Sequence, residues 1–176
     1  MREIKGDLIA LFQQGEFDCI AHGCNTQGIM GAGIALQISA AYNEVKKAYK
    51  DFCTNKNYII EGEVLCVRVD NPRKDENPKI VMNCYTQIFP GKARKEGEDS
   101  AQKRLEYIDK CLKSIDEIVY NKEGIFSQMG FKKDIRIGFP LMGCGLAGLD
   151  WEGQVKPIFE KYFSNNDLVT IVYYQK

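Results

Sequence analysis

The feature of this sequence that most constrains its fold is an alternation between short apolar runs and longer stretches of helical periodicity. The apolar runs are rich in Val, Ile, Phe, Tyr or Cys, a composition typical of buried strands. Strands are predicted at residues 17–21, 64–69, 80–85, 135–139 and 168–174, and Ile4 is a candidate for a short opening strand.

Three segments between these runs repeat apolar residues at every third or fourth position, the spacing of an amphipathic helix. They cover residues 34–52, 101–119 and 151–162, and Pro157 predicts a kink or a late start in the third. Nearly continuous apolar strands interleaved with long helices indicate a sheet covered on both faces. We therefore expect an α/β fold in one domain spanning residues 1–176.

Charge and hydropathy restrict the partners that this chain can have. The 24 Lys and Arg residues balance 24 Asp and Glu residues, which disfavours a broad nucleic-acid interface. Apolar stretches are interrupted well short of the roughly 20 residues that span a bilayer, and the N-terminus has no apolar signal core. We expect a cytoplasmic monomer with no membrane partner. Residues 71–78 and 91–99 are predicted loops, and the second is either a mobile lid or, the favoured alternative, a solvated connection.

The cysteines do not have the spacing of a structural metal site. Seven cysteines include no C-x-x-C pair, and His22 is the single histidine, so no metal ion and no cofactor are predicted. Most cysteines lie in apolar runs, where a reduced thiol behaves as a small hydrophobic side chain. Cys144 lies between two glycines, but a nucleophilic role is disfavoured because its best base, His22, is distant in sequence.

Two glycine-rich segments, residues 28–35 and 140–152, each follow a predicted strand and precede a predicted helix. The free N–H groups of a helix N-terminus bind anions. The first segment matches neither G-x-G-x-x-G nor a GK[ST] loop, so a dinucleotide fold or an NTPase loop is not supported. Two such loops at the carboxyl ends of parallel strands can face each other across a ligand crevice. Together they predict a site for linked phosphates that uses backbone N–H groups.

Four polar residues near these loops are candidates for chemistry, each with a structural alternative. His22 is predicted at the end of the strand at 17–21, where a catalytic and a structural role are equally favoured. Asn25 binds a sugar hydroxyl or satisfies loop backbone groups. Asp150 is an acid, a base or a substrate-orienting carboxylate, unless it only caps the next helix. Asp7 binds an adenine amino group or caps a turn.

Four motifs, in order and at familiar spacings, resemble the macro domain family. They are Lys5-Gly-Asp-Leu, Ile20-Ala-His-Gly-Cys-Asn25, Met30-Gly-Ala-Gly-Ile-Ala35 and Leu141-Met-Gly-Cys-Gly-Leu-Ala-Gly-Leu-Asp-Trp-Glu152. The resemblance runs from about residue 5 to residue 174. It implies a three-layer α/β/α fold with a central mixed sheet, which binds ADP-ribose in a crevice at the crest of the sheet.

The resemblance also implies roles for individual residues. Asp7, followed by Leu8, matches the position that recognises adenine, and Asn25 matches the position that contacts the distal ribose. The family's two phosphate-binding loops match two runs of this chain: Gly31, Ala32, Gly33, Ile34 and Ala35, and Gly143, Cys144, Gly145, Leu146 and Ala147.

Within the family, the sequence looks closest to the branch that holds the yeast ADP-ribose 1″-phosphate phosphatase and ADP-ribosyl glycohydrolases. His22 and Asp150 match groups proposed as catalytic in the phosphatases; one would orient or deprotonate water and the other would protonate the leaving oxygen. The glycohydrolases use a strand Lys, and the protein-directed enzyme adds a loop Asp. Here residues 83–87 contain no Lys, the next being Lys92, and Ala147 occupies the Asp position.

We therefore expect a metal-independent phosphatase that converts ADP-ribose 1″-phosphate to ADP-ribose. One alternative is a glycohydrolase that removes ADP-ribose from DNA or protein, which would make an ADP-ribosylated macromolecule the partner. Another is a non-catalytic reader or sponge of ADP-ribose-like nucleotides.

Overall fold

A six-stranded sheet forms the centre of the computed structural model, which describes residues 1–54, 59–71, 77–120, 125–131 and 134–174. The strands are β1 (Arg2–Lys5), β2 (Cys19–Asn25), β3 (Val64–Val69), β4 (Lys79–Gln87), β5 (Ile137–Phe139) and β6 (Val169–Tyr173). Their spatial order is β1-β6-β5-β2-β4-β3. The first five strands in this order run parallel, and β3 pairs antiparallel with β4 at the edge, so the sheet is mixed.

Helices cover both faces of the sheet, which confirms the predicted three-layer α/β/α architecture. One face carries α1 (Leu8–Gln14), α2 (Gly33–Ala41) and α3 (Asn43–Thr54). The other face carries α4 (Ala101–Tyr120), α5 (Ile125–Gln128), a π-helical turn (Trp151–Val155) and α6 (Lys156–Phe163).

The alternation of side chains along β2 explains why its sequence is apolar at almost every position. Ile20 and Cys24 pack with α1, α2 and α3, whereas Cys19 and Ala21 pack with the helices of the opposite layer. A central parallel strand buries both of its faces, so neither face can be polar without a partner.

Helix α1 was not predicted, although its boundaries have recognisable signals. Asp7 caps the N-terminus by accepting hydrogen bonds from the N–H groups of Ile9 and Ala10 at 2.9 and 3.0 Å. Gly15 ends the helix in the left-handed conformation, with a φ of 91°. The intervening seven residues are too short for a clear helical period.

The prediction of one helix over residues 34–52 is wrong. Tyr42 adopts an extended conformation between α2 and α3, with φ −136° and ψ 90°. Its ring packs edge-on against Phe12, with centroids 5.9 Å apart, so a tertiary contact stabilises the extended residue between the two helices. Pro157 lies in the first turn of α6, as a late helix start requires.

The predicted boundaries of three strands are also wrong by two residues or more. The structure ends β2 at Asn25 rather than at residue 21, ends β4 at Gln87 rather than at residue 85, and starts β5 at Ile137 rather than at residue 135. In the predicted loop 71–78, residues 72–76 lie outside the described residues. Within the described part of the chain, no helix is long and apolar enough to cross a membrane.

Candidate functional site

A crevice is expected at the crest of the sheet between β2 and β5, which are neighbouring parallel strands. The chain leaves β2 towards α2 on one face, and it leaves β5 towards α6 on the opposite face. Connections that diverge in this way open a cleft at the carboxyl ends of the strands, the usual ligand position in open α/β sheets. We call residues 25–35, which include the end of β2 and the first turn of α2, the first glycine loop, and we call residues 140–150 the second glycine loop.

The first glycine loop presents a row of backbone donors. Between Gly31 and Ala35, no N–H group donates to an acceptor among the described residues; Leu36 is the first to do so, to the carbonyl of Ala32 at 3.2 Å. Ala32 occupies the N-cap position of α2 and has no side chain that could cap the helix. Unpaired donors and the positive end of the helix dipole both favour an anion here.

The second glycine loop is built differently but offers the same chemistry. Backbone hydrogen bonds close its turns, including the one from Leu149 N–H to the Gly143 carbonyl at 3.0 Å. Gly143 has a φ of 76°, and a Cβ there would lie 2.9 Å from Leu149 Cδ1, so glycine is required. The N–H groups of Gly145, Leu146 and Ala147 donate to no described acceptor.

The two loops lie against the same strand. A Cβ placed on Gly23 of β2 would lie 3.2 Å from Met142 Cγ, so the second loop packs directly beside the upper half of β2. The residues predicted to bind phosphates, Gly31–Ala35 and Gly143–Ala147, therefore follow or pack beside the carboxyl-terminal half of one strand, β2.

Asn25 organises the first glycine loop from within. Its Oδ1 accepts from the N–H groups of Gln27 and Ile29 at 3.0 and 3.3 Å, and its Nδ2 donates to the Ile29 carbonyl at 2.7 Å. The hydroxyl of Tyr49, on α3, donates to the Asn25 carbonyl at 2.7 Å and lies 2.9 Å from its Oδ1. Asn25 thus satisfies loop backbone groups, as one of its two alternatives requires, and the contact with a sugar hydroxyl stays a prediction.

His22 is not at the end of its strand, contrary to expectation. It lies in the interior of β2 with 0% exposure, because β2 continues for three more residues. Its Nε2 is 2.8 Å from Oδ1 of Asn83, its register partner on β4. Burial lowers the pKa of His22 to about 4, and the Asn83 bond offsets this only in part, so the imidazole is neutral at pH 7.

Asp150 is exposed at the end of the second glycine loop. Its Oδ2 accepts from the Gly153 N–H at 2.6 Å and caps the π-helical turn. The structure therefore shows the capping role of Asp150, which uses one of its two carboxylate oxygens. The thiol of Cys144, in the same loop, has its pKa raised to about 12 by burial and by Asp150, which disfavours the nucleophilic role.

Asp7 lies at a second position on the crest, after β1. Besides capping α1, its carboxylate accepts a hydrogen bond from the Tyr174 side chain, which lowers the pKa of Asp7 and raises that of Tyr174 to about 12. Leu8, in contrast, is buried in the core. Tyr174 is 62% exposed. Sequence reasoning placed Tyr174 inside the last predicted strand, 168–174, and gave it no role, because its exposure appears only in the structure.

The loop that follows β4, residues 88–100, is held by a buried ion pair that sequence reasoning also missed. Arg104 binds both oxygens of Asp99, at 3.0 and 2.6 Å, and also donates to three loop carbonyls, those of Phe89, Gly91 and Lys92. Asp99 Oδ1 in turn accepts from the Ile88 N–H. So many bonds favour the solvated connection over a mobile lid.

This loop also supports the second glycine loop. Ala93 N–H donates to the Ala147 carbonyl at 3.2 Å, and Lys92 Cγ lies 3.6 Å from the position of a Cβ on Gly148. Among the described residues, no group of three or more His, Cys, Asp or Glu side chains is arranged to hold a metal ion.

A covered mixed sheet with two loops of unpaired backbone N–H groups at its crest defines an α/β/α protein with a candidate anion-binding site. The macro domain model matches residues 21–158, so this chain belongs to the macro domain family.

Three relatives place the chain within that family. A phage T4 protein of 17.5 kDa from the tk-vs intergenic region is 44% identical, over 97% of this chain and 95% of its own. The ADP-ribose 1″-phosphate phosphatase of Candida glabrata is 24% identical, over 81% and 83%. The DNA ADP-ribosyl glycohydrolase of Mycobacterium tuberculosis is 29% identical over 96% of this chain, which corresponds to 40% of that longer protein.

The fold agrees with solved structures. The macrodomain of Mycobacterium tuberculosis DarG superposes with a TM-score of 0.70 at 24% identity, over 99% of this chain and 97% of that chain.

Proposed function

We propose that this protein binds ADP-ribose and hydrolyses ADP-ribose 1″-phosphate to ADP-ribose and phosphate. The observation that carries the proposal is the pair of glycine loops, whose unpaired N–H groups lie at the carboxyl ends of neighbouring strands. Two such rows suit a ligand with phosphate groups in series. Relatives named ADP-ribose 1″-phosphate phosphatase, from four yeasts, support the reaction.

The nucleoside end of the ligand would lie over the carboxyl ends of β1 and β6. Asp7 offers a carboxylate oxygen to the exocyclic amino group of adenine, and the exposed ring of Tyr174 offers a face for the base. The diphosphate would then cross the first glycine loop, and the terminal phosphate would lie at the second.

Asp150 is the proposed acid–base group. It is the carboxylate at the end of the second glycine loop, and its cap to Gly153 fixes its orientation. It would deprotonate or orient the attacking water. As the water oxygen bonds to phosphorus, the bond between phosphorus and the anomeric oxygen would break, and the proton taken from the water would pass to that leaving oxygen, which gives ADP-ribose and phosphate. His22 remains a predicted catalytic group; because it is buried and neutral, we assign it the indirect task of holding Asn83 beneath the crevice.

The test is phosphate release from ADP-ribose 1″-phosphate in the presence of EDTA, with ADP-ribose affinity measured by calorimetry. Asp150→Asn preserves a capping oxygen and should lower turnover by about 100-fold or more. Glu152→Gln is the matched control, because Glu152 is an exposed carboxylate two residues away, and it should leave turnover unchanged. Equal turnover in all three proteins would remove Asp150 from the mechanism.

His22→Gln separates the two roles of that residue. The variant should keep ADP-ribose binding and retain measurable turnover if His22 only supports the site. Abolished turnover in a variant that is still folded by thermal unfolding would instead assign His22 to the chemistry.

A glycohydrolase is the second candidate, favoured by the Mycobacterium tuberculosis relative. Lys92 lies beside the second glycine loop and would supply the amine for this reaction. Release of ADP-ribose from a modified oligonucleotide by the wild type, lost in Lys92→Ala and kept in the control Lys95→Ala, would establish it. Binding of ADP-ribose with no product from either substrate would indicate a reader. We also propose that the protein acts as a cytoplasmic monomer; size-exclusion chromatography with light scattering tests the monomer.

A further inference from the structure

Tyr49 connects the interior of one helical layer to the first glycine loop. It lies on α3 with 0% exposure, and its hydroxyl donates to the Asn25 carbonyl at 2.7 Å and lies 2.9 Å from Asn25 Oδ1. One buried donor therefore serves both the backbone and the side chain of the residue that begins the loop.

Asn25 transmits this constraint along the loop. Its side chain makes three further hydrogen bonds, one to Gln27 and two to Ile29. The N–H groups that donate to no described acceptor begin directly after Ile29, at Met30, and continue through Ala35. A shift of Asn25 would therefore move the first row of N–H groups relative to a bound phosphate.

The ring of Tyr49 cannot move easily. It stacks on Tyr85 of β4, with centroids 5.8 Å apart and planes inclined by 13°, and Tyr85 stacks in turn on Phe52 at 5.2 Å. Burial also raises the pKa of the Tyr49 hydroxyl, which keeps it a hydrogen-bond donor at every physiological pH.

We propose that Tyr49 is a positioning residue that sets the ligand affinity of the first glycine loop through Asn25. The inference rests on the proposed function for its ligand, ADP-ribose, but not for the geometry of the loop. Tyr49 is 24 residues from Asn25 in the chain and is not at the mouth of the crevice, so it acts without touching the ligand.

Tyr85 provides a matched control. It is also a buried tyrosine of the same aromatic stack, and its hydroxyl makes no hydrogen bond to Asn25 or to the first glycine loop; the polar group beside it is the Cys53 thiol. Tyr49→Phe and Tyr85→Phe thus remove the same atom from adjacent places. Only the first substitution cuts a bond to the loop.

The first measurement is the affinity of the full chain for ADP-ribose by calorimetry. Tyr49→Phe should bind about tenfold more weakly, and Tyr85→Phe should bind within about twofold of wild type. In the hydrolysis assay, Tyr49→Phe should raise KM by a similar factor and leave kcat nearly unchanged, because phosphate contacts in the first loop are shared by substrate and transition state. Equal affinities for the wild type and Tyr49→Phe, or equal losses in both variants, would overturn the proposal.

A second measurement needs no ligand. Hydrogen exchange by NMR reports the N–H groups of Gln27 and Ile29, which donate to Asn25 Oδ1. Tyr49→Phe should accelerate their exchange at least several-fold, and Tyr85→Phe should not. If the wild type bound no ADP-ribose, the proposed function would fail, and this exchange measurement would still decide the role of Tyr49: unchanged protection would refute it.

Discussion

The two glycine loops present the same kind of donor but are held in place by different means. The first loop is held by side chains: Asn25 forms hydrogen bonds with loop backbone groups, and Tyr49 on α3 donates a hydrogen bond to Asn25. In the second, backbone turns do the holding, and the neighbouring loop at 88–100 supports them from outside through Ala93. Loops that bind through backbone N–H groups can therefore be stabilised either by buried side chains of a helix or by backbone hydrogen bonds to a neighbouring loop.

The difference has a consequence for substitutions. The first loop depends on neutral polar groups whose removal costs about one hydrogen bond each, on the order of 1 kcal/mol. The second loop depends indirectly on a buried charge pair, and disrupting one partner strands the other charge in the interior. Four predictions, from the largest expected effect to the smallest, test this contrast.

The largest effect should come from the ion pair beneath the loop at 88–100. Arg104→Met leaves Asp99, only 3% exposed, as an unpaired buried carboxylate, and should lower the free energy of unfolding by about 3–5 kcal/mol. Urea denaturation gives this value. The double variant Arg104→Met/Asp99→Leu should recover a large part of the lost free energy of unfolding. No recovery would show that the hydrogen bonds from Arg104 to the loop carbonyls, rather than the charge pairing, hold the loop.

The second effect is a pH dependence due to His22, beneath the first loop. The folded pKa is about 4 against an ordinary value of 6.5, so below pH 6.5 the unfolded chain binds the proton more readily than the folded protein. The contribution is complete above pH 6.5 and is lost progressively down to about pH 4, with a total of about 3 kcal/mol.

Urea denaturation at pH 7.0 and pH 5.0 measures this loss. His22→Gln should unfold with a weaker pH dependence over that interval. An unchanged pH dependence would show that His22 is not the group that titrates.

The third effect compares two positions of the second glycine loop. Gly143→Ala forces a side chain into the left-handed region and against Leu149, which should cost about 2 kcal/mol of stability. Gly145→Ala has no atom within 4 Å of the new Cβ and should change stability by less than about 0.5 kcal/mol. Thermal unfolding measures both effects. Equal destabilisation by the two substitutions would show that the left-handed conformation of Gly143 is not the source of the cost.

The smallest effect concerns the cap at the end of the second loop. Asp150→Ala removes the hydrogen bond to Gly153 and should cost about 1 kcal/mol, whereas Asp150→Asn should cost less than half of that. Chemical denaturation distinguishes them. If turnover fell equally in both while only the alanine variant lost stability, capping and chemistry would be separate tasks of one carboxylate.

Local patterns predicted a large part of this fold. The apolar runs located all five predicted strands, because a strand that is buried on both faces is apolar at nearly every position. The helical period of apolar residues located α4. Helix α1 was too short for its period to appear, and the break at Tyr42 depends on a contact with Phe12, 30 residues away, that periodicity cannot report.

The candidate site divides in the same way. The glycine spacing located both rows of backbone donors, and the order of the motifs indicated the family. The buried position of His22, the Asn25–Tyr49 connection and the Arg104–Asp99 pair were not predicted, because each depends on a long-range contact or on the extent of a strand.

The sequence by itself therefore determined the layered fold class and the macro domain family, and it predicted two anion-binding glycine loops, since apolar periodicity and glycine placement are local properties. Only the tertiary structure decided that the loops lie at the carboxyl ends of the neighbouring strands β2 and β5, that His22 is enclosed, and that Tyr49 reaches Asn25. The physical reason is that a hydrogen bond forms only when donor and acceptor are about 3 Å apart. Strand order and helix packing bring residues that are far apart in the chain within this distance.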